Sequence, residues 1–120
     1  MIKEIIGKRG SKMTSGEYSF LQEKFSEKIV SYSSTYVTNR EAAYNKGVKA
    51  CKSMLKTFYS KQKNYEPVTI EWLLTRFDDK IKSCEASRGS LYDIKRQYVP
   101  DYIDGVAECI MILRKYYRMY

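Results

Sequence analysis

The sequence predicts an all-α protein, a compact helical bundle built from two tandem helical hairpins. Three observations carry that reading. Apolar residues recur at helical rather than strand spacing in four segments; the segments match one another in pairs at fixed offsets; and 120 residues suffice for one core but not two. Four main helices are expected, with a short extra one in the second hairpin, in a single domain spanning residues 14–120.

Residues 1–13 precede the first helical stripe. Gly7, Lys8, Arg9, Gly10, Ser11 and Lys12 make this segment basic and glycine-punctuated, as a flexible arm would be. Thr14 followed by Glu17 has the form of a capping box. Tyr18, Leu21, Phe25, Ile29 and Tyr32 then step by 3, 4, 4 and 3, as the buried stripe of a first helix. A second capping box, Thr38 with Glu41, opens the stripe Tyr44, Val48, Cys51, Leu55 and Phe58. The connector from Ser60 to Thr69, with Pro67 near its end, divides copy one (14–63) from copy two (64–120).

Ile70, Leu73, Phe77, Ile81 and Cys84 form the third stripe. Ser87, Arg88 and Gly89 break it, and Ser90 with Asp93 suits a short extra helix. Pro100 fits the first turn of a fourth helix that starts near Val99 and carries Tyr102, Val106, Cys109, Leu113 and Tyr116. With Ile110, Met111, Ile112 and Leu113 in succession, that helix is apolar nearly all round, so it is expected at the centre, covered by the others.

The pairing of segments suggests an internal duplication. Tyr44, Gly47, Val48, Cys51, Leu55 and Tyr59 return 58 residues later as Tyr102, Gly105, Val106, Cys109, Leu113 and Tyr117. Tyr18, Leu21, Phe25, Lys28, Ile29 and Tyr32 face, 52 residues later, Ile70, Leu73, Phe77, Lys80, Ile81 and Cys84. The difference between the offsets places about six extra residues between Glu85 and Pro100, where a connecting loop absorbs them cheaply. Gly47 and Gly105 stand inside helices, where glycine costs roughly 1 kcal/mol against alanine. Close crossing of the two long helices, about a pseudo-twofold axis, repays that cost. A ligand or thiol site at Cys51 and Cys109 is the less favoured alternative, since nothing nearby lowers a thiol pKa.

Composition narrows the chemistry. The chain has no histidine, which removes the commonest general base and metal ligand. Its three cysteines are widely spaced and lack a CxxC pattern, so neither a disulfide framework nor a zinc site is supported, and a reduced compartment is expected. Phosphate loops and nucleophile elbows are absent. No catalytic residue, cofactor or metal is assigned, and the chain reads as a non-enzymatic protein. It has no apolar run long enough to span a bilayer and no signal-peptide pattern, so a cytoplasmic protein without membrane contact is expected.

The net charge of +8 is unevenly spread. Residues 1–37 hold six cations against four anions, residues 38–63 hold seven against one, and residues 64–120 hold nine of each. Lys49, Lys52 and Lys56 lie at i, i+3 and i+7 of the second helix, flanked by Lys46 and continued by Lys61 and Lys63. In the fourth helix Ala107 and Ile110 stand where Lys49 and Lys52 would be. Tyr59 and Tyr65 border the lysines, suited to stacking on bases or to anchoring a protein interface.

These six lysines and two tyrosines are the candidate binding face. A solvated, solubilising face is the plainer reading. Against it, like charges three and four apart repel, and Glu41 is almost the only acid among them. Lysine rather than arginine suits phosphates or an acidic protein better than the reading of bases. A partner with an acidic surface is expected, with DNA or RNA bound through phosphates as the alternative. Twelve tyrosines exceed what a core needs, and that surplus would serve a homodimer equally.

The opening Thr69, Ile70, Glu71, Trp72 and Leu73, followed by a loop and a closing helix with Tyr102, Ile103, Asp104 and Gly105, resembles small helical accessory proteins of phages and prophages. The resemblance implies a mobile-element product that blocks a host enzyme or defence complex, such as an inhibitor of the anti-CRISPR kind.

Overall fold

The computed structural model describes residues 12–30 and 38–118. Most of the expected basic arm, together with Tyr32 of the first stripe, lies outside them. The chain forms α1 (Ser15–Ser26), α2 (Asn39–Lys63), α3 (Ile70–Ala86) and α4 (Val99–Tyr116), with single 3-10 turns at Ser90–Tyr92 and Arg96–Tyr98 before α4. Among the described residues there is no strand, and no helix is long and apolar enough to cross a membrane. The protein is an all-α helical bundle.

Local chemistry sets the helix ends. In both capping boxes the threonine oxygen accepts from the glutamate N–H and the glutamate carboxylate accepts from the threonine N–H, as Thr14 with Glu17 and Thr38 with Glu41. Pro100 occupies the first turn of α4, where its missing N–H is no loss. At the end of α3, Gly89 N–H donates to Cys84 O and Arg88 N–H to Glu85 O, the Schellman pattern. The end of α2 repeats it, Glu66 N–H reaching Lys61 O and Tyr65 N–H reaching Gln62 O. Tyr65 therefore takes the left-handed position that glycine usually fills, with φ 63°.

Three boundaries differ from expectation. The first stripe runs to Tyr32, yet α1 stops at Ser26 because Asn45 of α2 captures the chain beyond it: Val30 N–H donates to Asn45 Oδ1 (2.8 Å) and Asn45 Nδ2 to Val30 O (2.7 Å). Helix α2 continues through Lys63, into the expected connector, because Gln62 is needed inside. Its amide bonds both the N–H (2.7 Å) and the carbonyl (2.6 Å) of Met13, which is itself buried. The extra helix of the second hairpin resolves into the two 3-10 turns.

Helices α2 and α4 form the centre, with α1 and α3 packed on either side of them. At the crossing the backbones touch. A Cβ on Gly47 would overlap the carbonyl oxygen of Tyr102, and one on Gly105 would overlap that of Tyr44. Both glycines are therefore required by close approach. One turn on, the buried thiols of Cys51 and Cys109 lie within hydrogen-bond reach, and burial followed by that contact pushes the Cys51 pKa up. Above the crossing Phe25 meets Phe77, ring centroids 6.0 Å apart. Cys51 and Phe25 each meet their own counterpart at the 58- or 52-residue offset, and the two glycine contacts are reciprocal, Gly47 on Tyr102 and Gly105 on Tyr44.

Flanking contacts pair likewise. Phe20 packs on Tyr116 as Trp72 packs on Phe58. Lys24 lies over Phe20 and bonds Glu27, as Arg76 lies over Trp72 and bonds Asp79. The bundle is thus locally twofold in its contacts. One expectation is corrected: α4 is central but not covered all round, since Met111 is 65% exposed on its outer face.

Candidate anion-binding face

The six candidate lysines all project from α2 or its last turn, but the fold sends them to different places. Each residue advances about 100° round a helix, so Lys61, nine residues past Lys52, falls about 180° away from it. There it bonds Glu66 at 3.2 Å and lies over the Trp72 ring at 6.0 Å, bracing the connector against α3. Lys46 is turned toward the 3-10 turns, where its ammonium donates to the carbonyls of Asp93 (2.9 Å) and Tyr92 (3.4 Å). Both cations are used within the molecule.

Lys49, Lys52 and Lys56 stay together. With Ser53 of α2, Gln22 of α1 and Ile29 just beyond it, they line one open hollow of about 370 Å³ in the α1–α2 groove. Among the described residues none of the three is ion-paired, whereas Lys24, Lys28, Arg40, Lys61, Arg76 and Lys82 each have an acidic partner. Gln22 fixes the groove wall, its Nε2 donating to Lys52 O (3.1 Å) and to the Tyr18 hydroxyl (3.2 Å). Among the described residues its buried Oε1 has no hydrogen-bond partner.

The aromatic border is also rearranged by packing. Tyr59 stacks on Tyr18 at 4.4 Å and 10°, and Lys63 lies over its ring at 5.5 Å. A stripe of Lys49, Lys52, Lys56, Tyr59 and Lys63 thus extends over 14 residues of α2, about 21 Å. Tyr65, 84% exposed with Lys12 over its ring at 5.0 Å, stands beyond the helix end on its strained backbone. Sequence spacing alone does not reveal the Tyr18–Tyr59 stack, although Tyr18 begins the first stripe and Tyr59 directly follows the last residue of the second.

No family model, curated protein or solved structure matches the chain. The face must therefore be read from its own chemistry.

A second hollow, of about 200 Å³, lies between the start of α2 and the 3-10 turns, lined by Asn39, Lys46, Asp93 and Tyr98 among others. Hydrogen bonds from Asn39 and then Gln97 draw the Tyr98 phenol below its ordinary pKa. Its one lysine from the candidate set is already held by two carbonyls, so it offers less free charge than the α1–α2 groove. The three cysteines are buried and free, and the described residues hold no group of three metal-ligating side chains.

Proposed function

We propose that this chain is a non-enzymatic binding protein that holds an acidic protein surface, that of a host enzyme or complex, against the α1–α2 groove. The supporting observation is the convergence of Lys49, Lys52 and Lys56, without ion-pair partners among the described residues, on one hollow, while Arg40, Lys46 and Lys61 of the same helix are engaged internally. Three like charges side by side cost a few tenths of a kcal/mol each in the free protein. A partner supplying carboxylates removes that repulsion and steers association.

A protein partner is favoured over nucleic acid by two features. Lysine ammonium groups neutralise charge without the planar fork that reads bases, and the nearest arginine on the helix, Arg40, is spent on Asp101. The Tyr59 ring, beside the lysines, is occupied by Tyr18 and Lys63 rather than open to a base. The resemblance to phage and prophage accessory proteins supports an inhibitor or adaptor acting on a host complex, in the host cytoplasm.

The triple variant Lys49→Glu/Lys52→Glu/Lys56→Glu tests the assignment. It is expected to keep full helicity and to lose the partner captured by the wild type from the natural host, whereas Lys61→Glu keeps it. Retained capture by the triple variant would overturn the reading. Binding to random-sequence duplex DNA serves as the opposing measurement: a log–log salt slope near about −2.7, the value for three phosphates, would replace the protein partner with nucleic acid.

A further inference from the structure

The local twofold provides an internal control for what packing demands of a helix face. On α4, Asp104, Ala107, Met111 and Arg114 step by 3, 4 and 3 and form one stripe, with Ile110 alongside. Their counterparts 58 residues earlier are Lys46, Lys49, Ser53, Lys56 and Lys52, the basic side of α2. The bundle therefore accepts lysine and serine at these places. Ile110 is half-buried against the core, whereas Met111 is 65% exposed and is not required by the interior. Leu74 and Ile81 of α3, half-buried, are the counterparts, 52 residues on, of Gln22 and Ile29, which line the hollow with the lysines.

The charges at the two ends of the stripe are opposite. Asp104 and Arg114 are both exposed, and among the described residues neither has an ion-pair partner. The order acid, small, large, base is self-complementary when a second α4 lies antiparallel across the first. A twofold centred on residue 109 sets Asp104 of each copy against Arg114 of the other and Ala107 against Met111. The corresponding face of α2 is basic along its length and would repel its copy. Residues 64–120 carry no net charge while residues 1–63 carry +8, so the second half is where two such molecules meet without that repulsion.

We propose that this chain forms a twofold dimer through the outer α4 face, with the α3–α4 groove at its edge and both lysine hollows left open. The dimer is bivalent toward a partner.

Sedimentation equilibrium of the full chain, from about 1 to 300 μM, reads the association. The expected mass rises toward twice 14.1 kDa. Met111→Lys is expected to leave a folded monomer. Asp104→Arg raises the dissociation constant at least about tenfold, because each copy then presents arginine to arginine. The double swap Asp104→Arg/Arg114→Asp re-creates both pairs and restores association to near the wild-type value. Lys49→Glu leaves it unchanged. A wild type that stays monomeric throughout, or a dimer insensitive to Met111→Lys, overturns the proposal. Failure of the double swap to rescue the single one overturns the antiparallel register.

Discussion

Replacing Gly47 by alanine separates close approach from helix propensity. In an ordinary helix the change is stabilising, by roughly 1 kcal/mol. Here the new Cβ would fall inside the contact distance of the Tyr102 carbonyl oxygen and close to the Val106 nitrogen, both backbone atoms that cannot rotate aside. The α2–α4 crossing must open by roughly an ångström to reach ordinary carbon contacts. That opening loosens Val48, Cys51, Val106 and Cys109, all fully buried. Overpacking of this kind costs roughly 1–3 kcal/mol, and the loosened contacts add to it. Set against the propensity gain, a net loss of roughly 2 kcal/mol is expected, a drop in Tm of about 10 °C.

Gly16 supplies the control, since among the described residues a Cβ there meets only Thr14 Oγ1, at 3.9 Å. Gly16→Ala should raise stability by ~0.5 kcal/mol. Thermal and urea unfolding of the two variants would show opposite signs. A Gly47→Ala protein as stable as Gly16→Ala would refute the close crossing.

Further substitutions test the ends and the interior. Tyr65→Gly relieves a left-handed backbone and should stabilise by ~1 kcal/mol, read by urea unfolding, while weakening partner capture if the exposed ring touches the partner. Asn45→Asp removes the donor to Val30 O and sets a carboxylate there instead; a loss of about 1–3 kcal/mol is expected, and an unchanged midpoint would discount the clamp. Burial pushes the phenols of Tyr102 and Tyr117 above the ordinary 10.0. Above pH 10 the unfolded chain gives up protons that these residues keep, so stability is fully present below pH 10 and falls as pH rises beyond it. Urea midpoints unchanged between pH 9 and 11 would contradict that linkage.

What a single chain reveals depends on whether the deciding partner is near in sequence. Both capping boxes were legible because their partners lie three residues apart. The Gly47–Gly105 crossing was legible because two unfavourable helix positions recur at the same offset as the core stripes. The end of α1 was not, since Asn45, on a different helix, decides where the chain turns. Met111 was misplaced for another reason. A run of four apolar residues looks central, yet α1, α2 and α3 pack on α4 and leave Met111 in the open, and the run says nothing about which side that is. The basic face was half legible: Lys49, Lys52 and Lys56 share a side by arithmetic, whereas Lys61 needed its full rotation counted, and the roles of Lys46 and Lys61 depend on Asp93 and Glu66.

The contact of α2 with α4 also constrains the order of events during synthesis. The apolar stripe of α2 is complete once residue 63 is made, but its principal partner begins 36 residues later, at Val99. Until α4 emerges, the stripe of Val48, Cys51 and Leu55 has only α1 and the smaller contact with α3 to cover it, and the glycine notch at position 47 lacks the Tyr102 carbonyl that fills it. Hydrophobic surface left waiting in this way attracts other nascent chains. Slowing translation between α3 and α4 should therefore lower the soluble yield, a sensitivity that an order of helices closing each hairpin on itself would not have.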